Sequence, residues 1–204
     1  DINYLKKRAK VDTAFFCMPN GANFETVEPK TEAPNIRLGI LSSWWHTTLA
    51  EENDWFIRDY FSKYINHNPN VVLYLAGRGK YIEQYRGLNN VIVKGEVSSL
   101  NDFFKNIDVF VVPDPKGCGI LNRVLDAFAY KTCVIGHKNA FSGFSYMTNC
   151  FFDFDDYLSF ENKMDVLISS KEKREELVNN AYSSIKQNND WGKNISEFIK
   201  FATE

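Results

Sequence analysis

The residues best suited to chemistry lie in one stretch, residues 113–127, where a strand-like run ends, a glycine-containing loop follows and a helix begins. Gly117 and Gly119 have no side chain, so the backbone N–H groups of this loop can approach a ligand closely. The start of the helix adds about half a positive charge, which suits a phosphate group. Arg123, in the first helical turn, has the fork of donors that can hold a phosphate through two hydrogen bonds.

The same helix carries a carboxylate that could bind a sugar. Asp126 lies one turn after Asn122, so both fall on one face of the helix, while apolar residues mark the opposite, buried stripe. A carboxylate at this position can accept two hydrogen bonds from a vicinal diol such as that of ribose. The alternative is purely structural, with the glycines serving only a turn and Arg123 paired with Asp126 on a solvated face.

The loop after the first strand-like run, residues 42–48, is rich in hydroxyl groups and aromatic rings. His46 and the backbone around Ser43 could contact a diphosphate or a sugar, or His46 could simply cap a helix. Trp44 and Trp45 could equally pack in the core or between domains. The loop has no G-x-G-x-x-G pattern, which argues against a nicotinamide or flavin site at this place.

Three further loops that follow strand-like runs contain possible ligand contacts. Gly77 and Arg78 belong to a Gly-Arg-Gly turn, which turn chemistry explains about as well as ligand binding does. Val97 lies in a loop whose main-chain groups could hydrogen-bond the edge of a nucleobase, or which is a plain connection ending in a helix cap. Residues 136–144 combine two glycines with a histidine and a lysine, and could enclose a sugar.

These loops are positioned by an alternation of strand-like and helix-like stretches. Near-continuous apolar runs separated by helices indicate a parallel sheet covered on both faces, a doubly wound Rossmann-like α/β domain with closing C-terminal helices. Ligands bind such sheets at the carboxyl ends of the strands. Strands are predicted at 36–41, 71–76, 91–93, 109–112, 133–135 and 151–154, and helices at 51–64, 81–85, 99–105, 121–130, 157–169, 171–187 and 191–201.

The composition excludes several classes of protein. With 204 residues, 44 % hydrophobic and 25 % charged, the chain is long enough for a packed core and is not disordered. A net charge of −2 provides no excess of positive charge for binding nucleic acid. The four cysteines form no C-x-x-C pair, and no spacing typical of a metal site or a Ser-His-Asp triad occurs. The apolar runs are too short to span a membrane.

The amino-terminal residues differ from the rest of the chain. A short basic helix, a strand at 14–17 and a Pro-Asn-Gly turn are followed by a polar stretch, 21–34, that is the best candidate for an interdomain linker. We therefore expect residues 1–30 to be the remnant of an amino-terminal domain with its linker, and residues 31–204 to form the main domain. The chain is expected to be a fragment of a longer, cytosolic protein with reduced thiols.

The order of several motifs resembles the carboxy-terminal domain of GT-B glycosyltransferases of the family 4, or group 1, type. The resemblance covers most of the chain. The motifs that carry it are P-N-G at 19–21, L-A-G-R-G at 75–79, V-I-V-K-G-E-V at 91–97, I-D-V-F-V-V-P at 107–113 and G-C-G-I-L-N-R-V-L-D-A-F-A at 117–129.

The resemblance implies a donor site for a nucleotide sugar, a UDP-, GDP- or ADP-sugar, with no other cofactor and no metal. The diphosphate would be contacted by Gly117, Cys118, Gly119, Ile120 and Arg123. Asp126 takes the position of the family's glutamate that holds the ribose hydroxyls, and its side chain is one methylene shorter. From the loop residues themselves we also expect donor contacts at Ser43, His46, Gly77, Arg78 and Val97. Arg123 and Asp126 are the residues expected to serve catalysis.

For the whole protein, the resemblance implies transfer of the sugar to a hydroxyl group, with retention of anomeric configuration. A glycan or lipid-linked acceptor would bind through the missing amino-terminal domain, in polysaccharide biosynthesis. We expect a cytoplasmic location with possible peripheral membrane contact through that domain, and a fragment that binds its donor without transferring the sugar. The alternatives are a non-catalytic nucleotide-binding module and, disfavoured by the missing glycine pattern, an NAD-dependent oxidoreductase.

Overall fold

The strands form one six-stranded, entirely parallel sheet. The structure is a computed structural model and describes residues 2–8, 14–24, 26–117 and 119–203. The strand order β3-β2-β1-β4-β5-β6 confirms the predicted doubly wound, Rossmann-like α/β fold. The strands are β1 (Ile36–Leu41), β2 (Val71–Ala76), β3 (Val91–Gly95), β4 (Val109–Val112), β5 (Cys133–His137) and β6 (Phe152–Phe154).

The strand order reverses between β1 and β4. From β1 the chain builds outward to β2 and β3, and it then returns to the other side of β1 to build β4, β5 and β6. The connections after β1 and β4 therefore leave the sheet in opposite directions and open a crevice at its carboxyl edge. This crevice lies between residues 42–46 and residues 113–121.

Helices cover both faces of the sheet, as expected, and several begin at side-chain caps. Ser99 accepts a hydrogen bond from the N–H of Asp102, and Asp156 and Ser159 form a reciprocal capping box. The helices are α1 (Ile2–Arg8), α2 (Thr47–Phe56), α3 (Ser62–Tyr64), α4 (Leu100–Phe104), α5 (Asn122–Ala129), α6 (Tyr157–Ser169), α7 (Lys171–Asn188) and α8 (Trp191–Thr203); a π-helical turn joins α2 to α3, and 3-10 helices span Lys80–Tyr85 and Lys138–Phe144. Among the described helices, none has the length and apolarity needed to cross a bilayer.

Alternating side chains of the strands build two apolar layers. Along β4, Val109 and Val111 point to one face, and Phe110 and Val112 point to the other. The first layer includes Trp44 and the aromatic residues of α2 and α6, and the second includes those of α4 and α5. Burial on both faces explains why β4 is an uninterrupted apolar run.

The strand predicted at 14–17 is wrong, because these residues do not pair with the sheet. Phe16 instead packs against Phe198 and Phe201 of α8, with ring centroids 5.7 and 5.2 Å apart. The predicted linker lies against the sheet domain, where Lys30 Nζ donates hydrogen bonds of 2.6–2.8 Å to two backbone carbonyls and to Thr132 Oγ1. A domain boundary near residue 30 stays a prediction.

Candidate functional site

The loop between β4 and α5 turns back at the carboxyl edge of the sheet. The N–H of Gly117 donates to the carbonyl of Asp114 at 3.0 Å, which closes the first part of the turn. Gly119 has a φ of 66°, in the left-handed region that favours glycine, and it is exposed to solvent. Ile120 is half-buried, and Cys118 lies outside the described residues. The side chains of Asn139 and Asn20 donate to the carbonyls of Pro115 and Ile120, whereas the N–H groups of Gly119 and Ile120 donate to no residue in the described part of the chain.

The loop after β5, whose residues 136–144 were expected to enclose a sugar, supports this glycine loop from behind. A Cβ atom added at Gly143 would lie 2.5 Å from the backbone nitrogen of Ile120, and one at Gly117 would lie 2.9 Å from Cα of Ala140. The 3-10 helix Lys138–Phe144 is therefore in backbone-to-backbone contact with the glycine loop. Only the absence of a side chain at Gly143 permits this contact.

Arg123 is half-buried and forms an ion pair with Asp114, whose side chain is 5 % exposed. This differs from the alternative in which Arg123 would pair with Asp126 on a solvated face. Burial lowers the pKa of Arg123, and the charge of Glu52 opposes that effect. A guanidinium has five N–H donors, so its pairing with Asp114 leaves donors for a further anion.

Glu52 joins α2 to the glycine loop across the crevice. Its carboxylate is buried and accepts a hydrogen bond of 3.2 Å from the backbone N–H of Lys116. Glu52 and Asp114 are thus two buried carboxylates beside one guanidinium, and both were missed in the sequence. Glu52 has no local sequence signal, because its partner Lys116 lies on a distant segment, and only the fold buries Asp114 beside Arg123.

Asp126 lies one turn further along α5 and is half-buried. Burial raises the pKa of its carboxyl group from 3.8 to about 6. The carboxylate makes no hydrogen bond or ion pair with another residue in the described part of the chain. A carboxylate that is partly desolvated and has no protein donor has its acceptor capacity available for a ligand.

The loop after β1 divides into buried and exposed parts. Trp44 is fully buried, and its indole N–H donates to the carbonyl of Ala76 at 2.8 Å, so it belongs to the core. Ser43 and His46 are exposed on the crevice side. His46 precedes α2 at the N-cap position, but its imidazole makes no capping hydrogen bond. His46 thus occupies the cap position of the alternative without a side-chain capping hydrogen bond, and its donor contact stays a prediction.

The turn after β2 is tied to the loop after β1. The carbonyl of Arg78 accepts a hydrogen bond of 2.7 Å from the N–H of Trp44, while the exposed Arg78 side chain pairs with Glu96. Gly77 donates its N–H to the carbonyl of Gly95 at 2.8 Å. Backbone hydrogen bonds therefore fix the position of the Gly-Arg-Gly turn against its neighbouring loops.

Val97 follows β3 and lies half-buried in a cleft of about 220 Å³, which Tyr74, Lys94 and Asp102 also line. In the loop after β5, His137 is buried and accepts a hydrogen bond from the N–H of Asn139 at 3.2 Å. Burial lowers the pKa of His137. Its imidazole therefore belongs to the protein interior, between Trp55 and Phe154.

The structure gathers most of the predicted residues at one edge of the sheet. Gly117, Gly119, Ile120, Arg123 and Asp126 form one loop-and-helix unit on one side of the crevice, and Ser43 and His46 lie across it. Gly77, Arg78 and Val97 follow β2 and β3, further out on the β1 side.

Solved structures share this fold. HepE from Anabaena, in complex with UDP and glucose, has a TM-score of 0.67 and 13 % identity over 84 % of this chain and 49 % of its own length. Sucrose-phosphate synthase from Thermosynechococcus elongatus has a TM-score of 0.74 and 13 % identity over 99 % of this chain and 55 % of its own. The chain thus spans about half the length of these two proteins.

A third similar structure is itself a separate domain. The C-terminal domain of a group 1 glycosyl transferase, LpcC from Francisella tularensis, has a TM-score of 0.57 and 14 % identity over 78 % of this chain and 88 % of its own. No curated protein sequence is significantly similar to the chain. The sequence model of the family "Glycosyl transferases group 1" matches residues 37–170. This match covers more than half of the chain and includes β1 to α6, so the chain belongs to the group 1 family of glycosyl transferases.

Proposed function

We propose that the chain is the donor-binding half of a glycosyltransferase and binds a nucleoside-diphosphate sugar in the crevice between the loops after β1 and β4. The observation that carries this proposal is the glycine loop leading into α5 at the point where the strand order reverses. There, exposed backbone N–H groups, a guanidinium and an unpaired carboxylate lie on one short segment.

The diphosphate would lie against the glycine loop. Backbone N–H groups of Gly119 and Ile120, with the donors of Arg123 that Asp114 leaves free, would hydrogen-bond its oxygens. Negative charge grows on the diphosphate as the glycosidic bond breaks, so the same donors would stabilise the leaving group. Each charge-assisted contact contributes about 1.5–3 kcal/mol. The pairing with Asp114 fixes the orientation of the guanidinium before the donor binds.

The ribose would bind at Asp126, whose carboxylate lacks a donor within the described residues. Two vicinal hydroxyl groups would supply that donor. The base would lie toward Val97 and the turn at Gly77 and Arg78, and the sugar between Ser43, His46 and the segment Lys138–Phe144. The disposition of these loops around one crevice supports this assignment.

For the whole protein, we propose transfer of the sugar to a hydroxyl group with retention and without a metal ion, as the family resemblance implies. A glycan or lipid-linked acceptor would bind mainly to the missing amino-terminal domain, as part of cytoplasmic polysaccharide synthesis. The same domain would hold the protein at a membrane surface. The complex of HepE with UDP and glucose supports a UDP-sugar among the possible donors. The present chain alone is expected to bind a donor but not to transfer the sugar.

A thermal-shift panel of UDP, GDP, ADP, their sugar conjugates and NAD tests the proposal. A ligand at 100 times its Kd adds about 2.7 kcal/mol of stability. At about 2–4 °C per kcal/mol for a chain of this size, the Tm should rise by several degrees with one nucleoside diphosphate and its sugar. No shift with any nucleoside diphosphate, or a shift with NAD alone, would overturn it.

Calorimetry with the responding nucleotide then tests Arg123. Arg123→Ala should weaken binding about tenfold or more, because a charge-assisted contact is lost. Arg123→Lys keeps a charge beside Asp114 and serves as the variant that folds. It should still weaken binding, since an ammonium lacks the planar fork. Unchanged affinity in Arg123→Lys and in folded Arg123→Ala would refute this role.

A further inference from the structure

A second cavity, of about 300 Å³, lies at the amino-terminal edge of the sheet, opposite the proposed donor site. Its lining includes Asp108, immediately before β4, and Cys133, the first residue of β5. The segment before β1, the residue that ends the turn after α5, and the first turns of α7 complete its walls. None of these residues belongs to the donor crevice.

The cavity concentrates positive charge in a chain whose net charge is −2. Four basic side chains line it, those of Lys30, Lys131, Lys171 and Arg174, against the two acidic side chains of Asp108 and Glu175, which gives a formal charge of +2. The four cations come from three separate parts of the chain. Their convergence around one concave space is therefore a product of the fold and not of a local run of lysines.

The two carboxylates do not cancel this charge effectively. Asp108 is committed to Arg37, which contacts it through two hydrogen bonds of 2.9 and 3.0 Å and does not line the cavity. Glu175 approaches Lys171 only to 3.8 Å, which is beyond hydrogen-bond distance. Both side chains of the latter pair are more than half exposed, so their attraction is weak.

The four cations differ in how many donors they have left. Lys30 Nζ already makes three hydrogen bonds, so it contributes charge without a free donor. Burial lowers the pKa of Lys30 to about 8. Arg174 donates to the carbonyl of Leu167 and keeps other N–H groups. Lys131 Nζ lies over the ring of Tyr182, 4.9 Å from its centroid, and Lys171 Nζ lies 3.8 Å from Glu175; neither ammonium group donates a hydrogen bond to a residue in the described ranges.

We propose that this cavity binds a small, multiply charged phosphate anion, held by Lys131, Lys171 and Arg174. The volume suits a phosphate ester or a diphosphate, and free donors on two lysines and one arginine match an anion with several acceptor oxygens. The site lies at the opposite edge of the sheet from the diphosphate position of the proposed donor. It takes its ligand independently of the nucleotide.

Calorimetry of the 204-residue chain with inorganic pyrophosphate, with and without saturating UDP, tests the proposal. Pyrophosphate should bind in both conditions. With UDP at saturation, pyrophosphate should bind the double variant Lys131→Gln/Lys171→Gln about tenfold or more weakly than it binds the parent protein. Two charge-assisted contacts are removed in this variant. Lys173→Gln, on the same turn of α7 but paired with Glu176 and outside the cavity, should retain the affinity.

Three results would overturn the proposal. They are an absence of pyrophosphate binding, its complete displacement by UDP, and an equal loss in Lys173→Gln and the double variant. The last would show general attraction to a basic surface. If UDP does not bind at all, yet the double variant selectively loses pyrophosphate, the proposed function fails while this site stands.

Discussion

The substitution Asp126→Asn should strengthen the fold while weakening the proposed site. The pKa of the folded carboxyl group is about 6, against 3.8 for the ordinary group. This difference in pKa corresponds to at most about 3 kcal/mol, since each pKa unit is worth about 1.4 kcal/mol and the partial exposure of Asp126 reduces the effect. The folded state holds this proton more tightly than the unfolded state does. The contribution of Asp126 to stability is therefore lost as the pH rises from about 4 to about 6, and the ionised group destabilises the fold at higher pH.

Asparagine has nearly the shape of the carboxyl group but no charge to bury. Asp126→Asn should consequently raise the free energy of unfolding at pH 8 by up to about 3 kcal/mol, or the Tm by about 6–12 °C. At pH 4 the variant and the parent should be nearly equal in stability. Thermal unfolding followed by circular dichroism at the two pH values measures the difference.

A matched exposed residue provides the control. At Asp155, a hydrogen bond and the charge of Lys138 lower the pKa, so Asp155→Asn should not stabilise the fold at pH 8. A stability gain for Asp126→Asn that is absent at pH 8, or equally large at pH 4, would refute the burial argument. Asp126→Asn should also bind UDP more weakly. If the variant is stabilised but its affinity for UDP is unchanged, Asp126 is a buried carboxylate that does not bind the ribose.

Further predictions concern the loops and the pH dependence of binding. Gly143→Ala should weaken UDP binding about tenfold while the fold persists, because its Cβ would lie 2.5 Å from the nitrogen of Ile120. Calorimetry measures the affinity, with Gly192→Ala as the control because its new Cβ meets only a side-chain oxygen at 3.1 Å. Equal affinities of the two variants would contradict the contact. Trp44→Phe should cost about 1–3 kcal/mol in urea unfolding through its lost buried hydrogen bond, and a cost near zero would contradict that role. UDP affinity should fall as the pH drops below about 6, since only ionised Asp126 accepts both ribose hydrogen bonds; a flat profile between pH 5 and 8 would count against this.

The regular elements of the fold follow closely from the sequence. The predicted spans of β1, β2, β4 and α6 coincide with the observed ones. Burial on both faces makes β4 a continuous apolar run, and a serine or aspartate cap marks the start of several helices. Here local sequence and tertiary environment favour the same structure.

The errors arise where distant contacts decide the outcome. An apolar run at 14–17 has the composition of a strand, but Phe16 finds its partners on α8 and not in the sheet. The glycine loop could be identified from the sequence, whereas its supports could not. Asp114 and Glu52 are ordinary acidic residues until the fold buries them beside Arg123 and Lys116, and Gly143 matters only because another backbone passes against it.

The central claim is that a nucleoside diphosphate binds the glycine loop and the start of α5. Hydrogen–deuterium exchange of the chain, with and without a saturating concentration of the nucleoside diphosphate that raises its Tm, tests it most directly. We predict slower exchange in peptides that cover residues 114–126, with little change in peptides that cover residues 171–179 at the opposite edge of the sheet. Protection confined to other segments, with unchanged exchange across 114–126, would contradict it.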